Sequence, residues 1–149
     1  MKKMFHTGTI KKTITINAPK EKVWLKLSNI VGLSSWALDV KKTSYLSKKR
    51  RGVGAIRRIT FESGNIIEEH VIDWKNGECF TYIATEGLPL RAYVATISIK
   101  PINKKSTQIT WQSYLNSNKM STKQFNEFLA DMRSFYQISL ENLKMTIEG

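Results

Sequence analysis

Along most of the chain, polar and apolar residues alternate with a period of two, the signature of half-buried strands. Ile10 to Ile16 is the first such stretch, rich in β-branched residues, and Asn17-Ala18-Pro19 closes it. Pro19 is well placed to open a helix, and Lys20 to Ser28 follows with an apolar stripe at Val23, Trp24 and Leu27. A second short helical piece is expected over Gly32 to Trp36. The alternation then resumes over Val40 to Leu46, Val53 to Phe61, Ile66 to Trp74, Glu78 to Thr85, Arg91 to Lys100 and Thr107 to Leu115. Turn-forming runs separate these stretches, among them Ser63-Gly64-Asn65, Lys75-Asn76-Gly77 and Glu86-Gly87-Leu88-Pro89-Leu90, and Pro101 to Lys105 reads as a loop.

The period lengthens only at the end. Ser121, with Gln124 three residues later, makes a capping box. Phe125, Phe128, Leu129, Met132, Phe135, Tyr136, Leu140, Leu143 and Ile147 then recur at steps of three and four, which predicts a helix of roughly 25 residues. So broad a stripe needs a large partner, and the sheet is the one large object this chain can build. The expected fold class is α+β. A curved antiparallel sheet of about seven strands wraps on the long C-terminal helix, with two short helices between strands one and two. One sheet face meets the helix and the other meets water.

Composition narrows the class. At 149 residues, one domain spanning 1–149 is the expectation, with residues 1–8 a loose N-terminal segment. The chain is 41% hydrophobic and 10% aromatic, too rich for a disordered chain. Cys79 is the single cysteine, which excludes an internal disulfide and any multi-cysteine metal site, and fits a reduced, cytoplasmic setting. The start lacks the apolar run of a secretory signal, and no stretch approaches the ~18 apolar residues of a membrane span. Lys and Arg outnumber Asp and Glu by 24 to 12, a net charge of +12 that invites anionic partners.

The element order and several segments together resemble the helix-grip superfamily, which includes the pollen-allergen fold, START-type lipid carriers and the polyketide cyclase/dehydrase-like branch. The segments are Ile16 to Trp24, Trp36 after Gly32-Leu33, Gly52 to Arg57 and Glu69 to Trp74. Phe80-Thr81-Tyr82, Gly87 to Leu90, Ile109-Thr110-Trp111 and Leu140 to Lys144 complete the set. The likeness spans the chain from about Thr9 to Glu148. It implies a cavity between the concave sheet face and the long helix that holds an apolar or amphipathic molecule of lipid, polyketide or isoprenoid type. By comparison with plant abscisic acid receptors, the turns at Ser63-Gly64-Asn65 and Glu86 to Leu90 would flank the entrance, with Leu88 and Pro89 at the rim. The first turn is much shorter than the receptors' closing gate. The same likeness aligns Tyr93 with a ligand-facing tyrosine.

Arg57 is a charge among apolar strand residues. If the turn after it takes three loop residues, Arg57 faces Glu69; if it takes two, Arg57 faces His70, because a one-residue slip reverses the faces. An inward Arg57–Glu69 pair would orient a ligand's polar end, whereas an outward one would be a surface ion pair. Tyr82 and Tyr93 share their faces with apolar residues and present hydroxyls that can meet a ligand or simply bond within the core. Trp36, Trp111, Phe125, Leu129, Met132 and Tyr136 are expected as cavity wall or core, with Gln112 the alternative to Trp111 should a bulge intervene. His6 and His70 are too far apart to suggest a metal site, no catalytic constellation is visible, and no cofactor is expected.

Lys48, Lys49, Arg50 and Arg51 form the densest basic run. In a meander the loops after strands two, four and six share one end, so this run, Lys75 and Lys104-Lys105 should gather opposite the entrance. No aromatic residues interleave with the run to stack bases, which disfavours nucleic acid and leaves a solvated end or a peripheral anionic membrane contact. Two functions beyond simple binding follow as alternatives: a cyclase/aromatase-type enzyme using the same cavity, and a basic interaction module. The pattern sets no oligomeric state.

Overall fold

The computed structural model describes residues 5–149. Its elements are β1 (His6–Ile16), α1 (Lys20–Ser28), a 3-10 turn (Ile30–Ser35), β2 (Val40–Tyr45), β3 (Ile56–Phe61), β4 (Ile66–Lys75), β5 (Cys79–Glu86), β6 (Ala92–Asn103), β7 (Ser106–Ser117) and α2 (Thr122–Glu148). The strands form one antiparallel sheet in the order β1-β7-β6-β5-β4-β3-β2. Consecutive hairpins build everything from β2 to β7. The α1 segment carries the chain across to the far edge, so β1 closes beside β7.

Three boundaries differ by three or more residues from the sequence expectation, each for a local reason. The first strand starts at His6 rather than Ile10, so His6, Thr7 and Gly8 belong to the sheet instead of a loose segment; the rest of that expectation, residues 1–4, lies outside the described residues. β7 runs on to Ser117 and supplies the partners, pairing His6 with Ser117 and Gly8 with Leu115. Gly8 interrupts the apolar alternation because Leu129 lies over it, only 2.9 Å from where a Cβ would stand. β3 starts at Ile56 rather than Val53, because Gly52 and Gly54 adopt φ of 82° and 95°, which strands do not use. The expected loop from Pro101 to Lys105 shrinks to a tight turn, since β6 continues through Pro101, which pairs with Thr107 beside a register shift.

The core lies between the concave sheet face and α2. Tyr93, Ala95, Ile97 and Ile99 of β6 and Ile109, Trp111, Ser113 and Leu115 of β7 all point inward, as their alternation requires. α2 buries Phe125, Leu129, Tyr136, Leu140, Leu143 and Ile147, a stripe at steps of three, four and seven. Each such side chain contributes about 1.5–3 kcal/mol by leaving water. The helix runs closest to β1 and stands off from β3 and β4. Lys144 Nζ donates to the Thr15 carbonyl at 2.8 Å, and Glu148 accepts from the Asn17 N–H at 2.9 Å, which pins the C-terminal end. Buried Ser139 accepts from the Leu38 N–H at 2.9 Å and ties the connection before β2 to the helix.

The N-terminal end of α2 is fixed by its cap. Ser121 Oγ accepts from the Gln124 N–H at 3.1 Å, and Gln124 Oε1 accepts from the Ser121 N–H at 2.9 Å. Ser121→Ala is expected to lower stability by about 1 kcal/mol. Urea unfolding should show a lower midpoint with an unchanged slope.

Candidate functional site

The stand-off between α2 and β3–β4 leaves a cavity of about 420 Å³. Its walls are apolar: Ile59 and Phe61 from β3, Ile67 from β4, Leu33 from the 3-10 turn, and Phe128, Met132 and Phe135 from α2. Ser63, Asn65 and Asp131 are exposed at one end, and Leu88 of the β5–β6 connection also lines the cavity. The other end is buried and polar, formed by Arg57, Glu69, Tyr82, Tyr93 and Trp111.

Register places the charged pair there. Thr60 pairs with Ile66, and the Phe61 N–H donates to the Asn65 carbonyl at 2.9 Å, so the hairpin loop has three residues, 62–64, and Arg57 stands opposite Glu69. Period-two geometry then turns both side chains to the concave face, where Arg57 is 4% and Glu69 6% exposed. Arg57 Nε and Nη2 both engage Glu69 Oε1, at 2.9 and 2.7 Å. Arg57 Nη1 donates to the Ile30 carbonyl at 2.8 Å. The guanidinium carbon lies 4.9 Å from the centre of the Tyr82 ring, a cation–π contact.

A hydroxyl cluster adjoins this pair. Trp111 Nε1 donates to the Tyr82 hydroxyl at 3.0 Å, and the hydroxyls of Tyr93 and Tyr136 are hydrogen-bonded to each other. Tyr136 lies flat on Trp111, with ring centres 3.8 Å apart and 6° between planes. Burial pushes the phenols of Tyr82, Tyr93 and Tyr136 well above their usual range, so all three stay neutral. Burial also raises the Glu69 carboxyl, and the attraction of Arg57 offsets this only in part. The site therefore offers neutral hydroxyls and a single ion pair in an apolar enclosure.

Among the residues singled out from sequence, Arg57, Glu69, Tyr82, Tyr93, Leu88, Trp111 and Met132 line the cavity. Five others sit elsewhere. Tyr136 is one layer behind, covered by Trp111 and fully buried. Trp36 packs edge-on against the far side of that wall, 5.8 Å from Trp111. Phe125 stacks on His6 at 5.5 Å, and Leu129 covers Gly8, because that face of α2 turns to β1. Pro89 faces a separate surface groove beside Ser117 to Met120. The residues not singled out are Leu33, Ile59, Phe61, Ile67, Phe128, Asp131 and Phe135. Period two already put Ile59 and Phe61 on the face of Arg57, and Ile67 on that of Glu69. Phe128, Met132 and Phe135 form a second helical stripe at steps of four and three.

The other chemical candidates lie apart. His70 is on the outer face, where Nε2 meets Glu68 Oε2 at 3.0 Å and helps hold the Glu68 carboxyl below its usual range. Cys79 is only half-buried at the start of β5. Among the described residues no group of three or more His, Cys, Asp or Glu is placed to hold a metal ion. Lys48, Lys49, Arg50 and Arg51 are exposed on the connection that enters β3, whereas Ser63 and Asn65 follow its other end. No helix among the described residues is long and apolar enough to cross a membrane.

A family model described as polyketide cyclase/dehydrase and lipid transport matches residues 7–148. No curated protein matches the sequence. The Zhui aromatase/cyclase of a Streptomyces species superposes with a TM-score of 0.83 at 14% identity, over 96% of this chain and 94% of its own. An uncharacterised protein from Bacillus thuringiensis gives 0.81 at 18% identity, over 95% and 100%. A START superfamily protein from Mycobacterium smegmatis gives 0.77 at 13% identity, over 94% and 97%. At these identities the structural likeness is one of fold.

The raised Glu69 carboxyl has a stability consequence with a definite sign. A group that binds its proton more tightly folded than unfolded stabilises most below its unfolded pKa, and that contribution is lost as pH rises through its folded value. Wild type should therefore be most stable relative to Glu69→Gln in acid and lose ground as pH rises from about 4 towards neutrality. Urea midpoints of both proteins across that range check it; a difference that grows with pH would contradict the assignment.

Proposed function

We propose a function from one premise: this chain belongs to the polyketide cyclase/dehydrase and lipid transport family. It binds one small, largely apolar molecule, of lipid, polyketide or isoprenoid type, between the sheet and α2. The observation that carries this reading is the cavity itself. Its volume of about 420 Å³ falls within the usual range for ligand sites, and its wall is apolar with a few polar groups gathered at the buried end. Arg57, Glu69, Tyr82 and Tyr93 orient the polar part of the ligand, and Leu88 with Met132 adapts to the rest. The lone Cys79 supports a reduced, cytoplasmic setting.

A second reading, a cyclase/aromatase-type enzyme in the same cavity, is favoured by one feature. Glu69 is a buried carboxylate with heightened proton affinity in the wall of the cavity, and such a group can move a proton on a substrate held in a folded conformation. Under that reading Glu69→Gln lowers turnover by about a hundredfold or more while the protein stays folded. The basic run at Lys48 to Arg51 supports at most a peripheral contact with an anionic membrane, away from the cavity mouth.

Native mass spectrometry of protein purified from its own host tests the binding reading. The expected result is a co-purifying small molecule that organic extraction removes. Met132→Trp fills the cavity from α2 and should leave the protein folded and empty. A folded Met132→Trp protein that keeps the same ligand at the same occupancy would place that ligand elsewhere and overturn the proposal.

A further inference from the structure

The polar end of the cavity selects the charge of its ligand. Among the described residues Arg57 is the one cation in the lining, and Glu69 already balances its charge. Nε and Nη2 are held by Glu69 Oε1, Nη1 by the Ile30 carbonyl, and one face is covered by Tyr82. The remaining N–H donors of Arg57 could meet a carboxylate, but that would set a second, uncompensated negative charge beside Glu69 in the same apolar enclosure. Glu69 differs. Both of its contacts from Arg57 fall on Oε1, and Oε2 receives no hydrogen bond from the described residues. A carboxylate oxygen is an acceptor only, so Oε2 calls for a donor. Asp131 adds a second negative charge at the exposed end, and the described residues of the lining carry one positive and two negative groups. This is the reverse of the chain's net charge of +12.

We propose that the ligand presents a hydrogen-bond donor without negative charge, a hydroxyl or N–H group, to Glu69 Oε2, and that carboxylate-ended amphipaths are rejected. This rests on the cavity being the binding site. It runs against what the whole-protein charge would favour, since a positive field attracts anions, so the two expectations separate cleanly.

The test is displacement of the uncharged fluorophore N-phenyl-1-naphthylamine by three straight-chain competitors of similar length: decanol, decyl methyl ether and decanoate. At about pH 8, where decanoate is ionised, decanol should displace the probe at a concentration about tenfold below that of the ether, which lacks the donor, and further below decanoate. Asp131 is exposed and carries no core contact to lose, so Asp131→Asn should fold normally and narrow the gap between decanol and decanoate. Decanoate displacing the probe as well as decanol overturns the charge assignment, and the ether matching decanol overturns the donor assignment. Probe binding that survives unchanged in Met132→Trp, or no binding of the probe at all, overturns the cavity reading and this inference with it.

Discussion

The stacking of Tyr136 on Trp111 sets where the long helix can sit. A ring-on-ring contact at 3.8 Å between the middle of α2 and the middle of β7 leaves no latitude in height, and Leu129 over Gly8 fixes the same helix against β1 nearby. A straight helix cannot follow a strongly curved sheet. Once held against β1 and β7, it must part from β3 and β4 on the other side of the bend. The cavity is that separation. Its existence follows from the Tyr136–Trp111 stack and the missing side chain at Gly8 more than from the other residues that line it.

The polar end tolerates burial because its two charges pair with each other. A lone carboxylate or guanidinium in that enclosure would be strongly disfavoured, but Arg57 meets Glu69, a carbonyl and an aromatic face together. The tyrosines stay neutral and exchange hydrogen bonds with one another and with Trp111. The arrangement is rigid, since Arg57 and Glu69 sit on adjacent strands in fixed register. Rigid polar groups at one end and a yielding wall of Met132, Phe128 and Leu88 at the other make a site that can fix one part of a molecule and accommodate the remainder.

Much of this was legible beforehand. The alternation found all seven strands, the capping box found the start of α2, and the faces of β6 and β7 followed from period two. The resemblance to the helix-grip superfamily named the fold and the place of the cavity. Sequence patterning missed the start of β1, where Gly8 is silent in a hydrophobic pattern yet is required by a side chain from over a hundred positions away. It also could not divide the helix stripe. Phe125, Leu129, Met132 and Tyr136 look alike on a helical wheel, and only Met132 lines the cavity.

The sequence by itself determined the elements, their order and the set of inward residues, because those depend on local periodicity and on the need to bury apolar surface. Whether Arg57 met Glu69 or His70 was a matter of one residue in a turn, and Trp111 or Gln112 a matter of one bulge, so local rules left both open. Tertiary structure decided them through sheet register, and it decided which helical face borders empty space through the rotation of α2 against β1. That rotation is set by contacts between residues far apart in the chain, and no short window of sequence contains them.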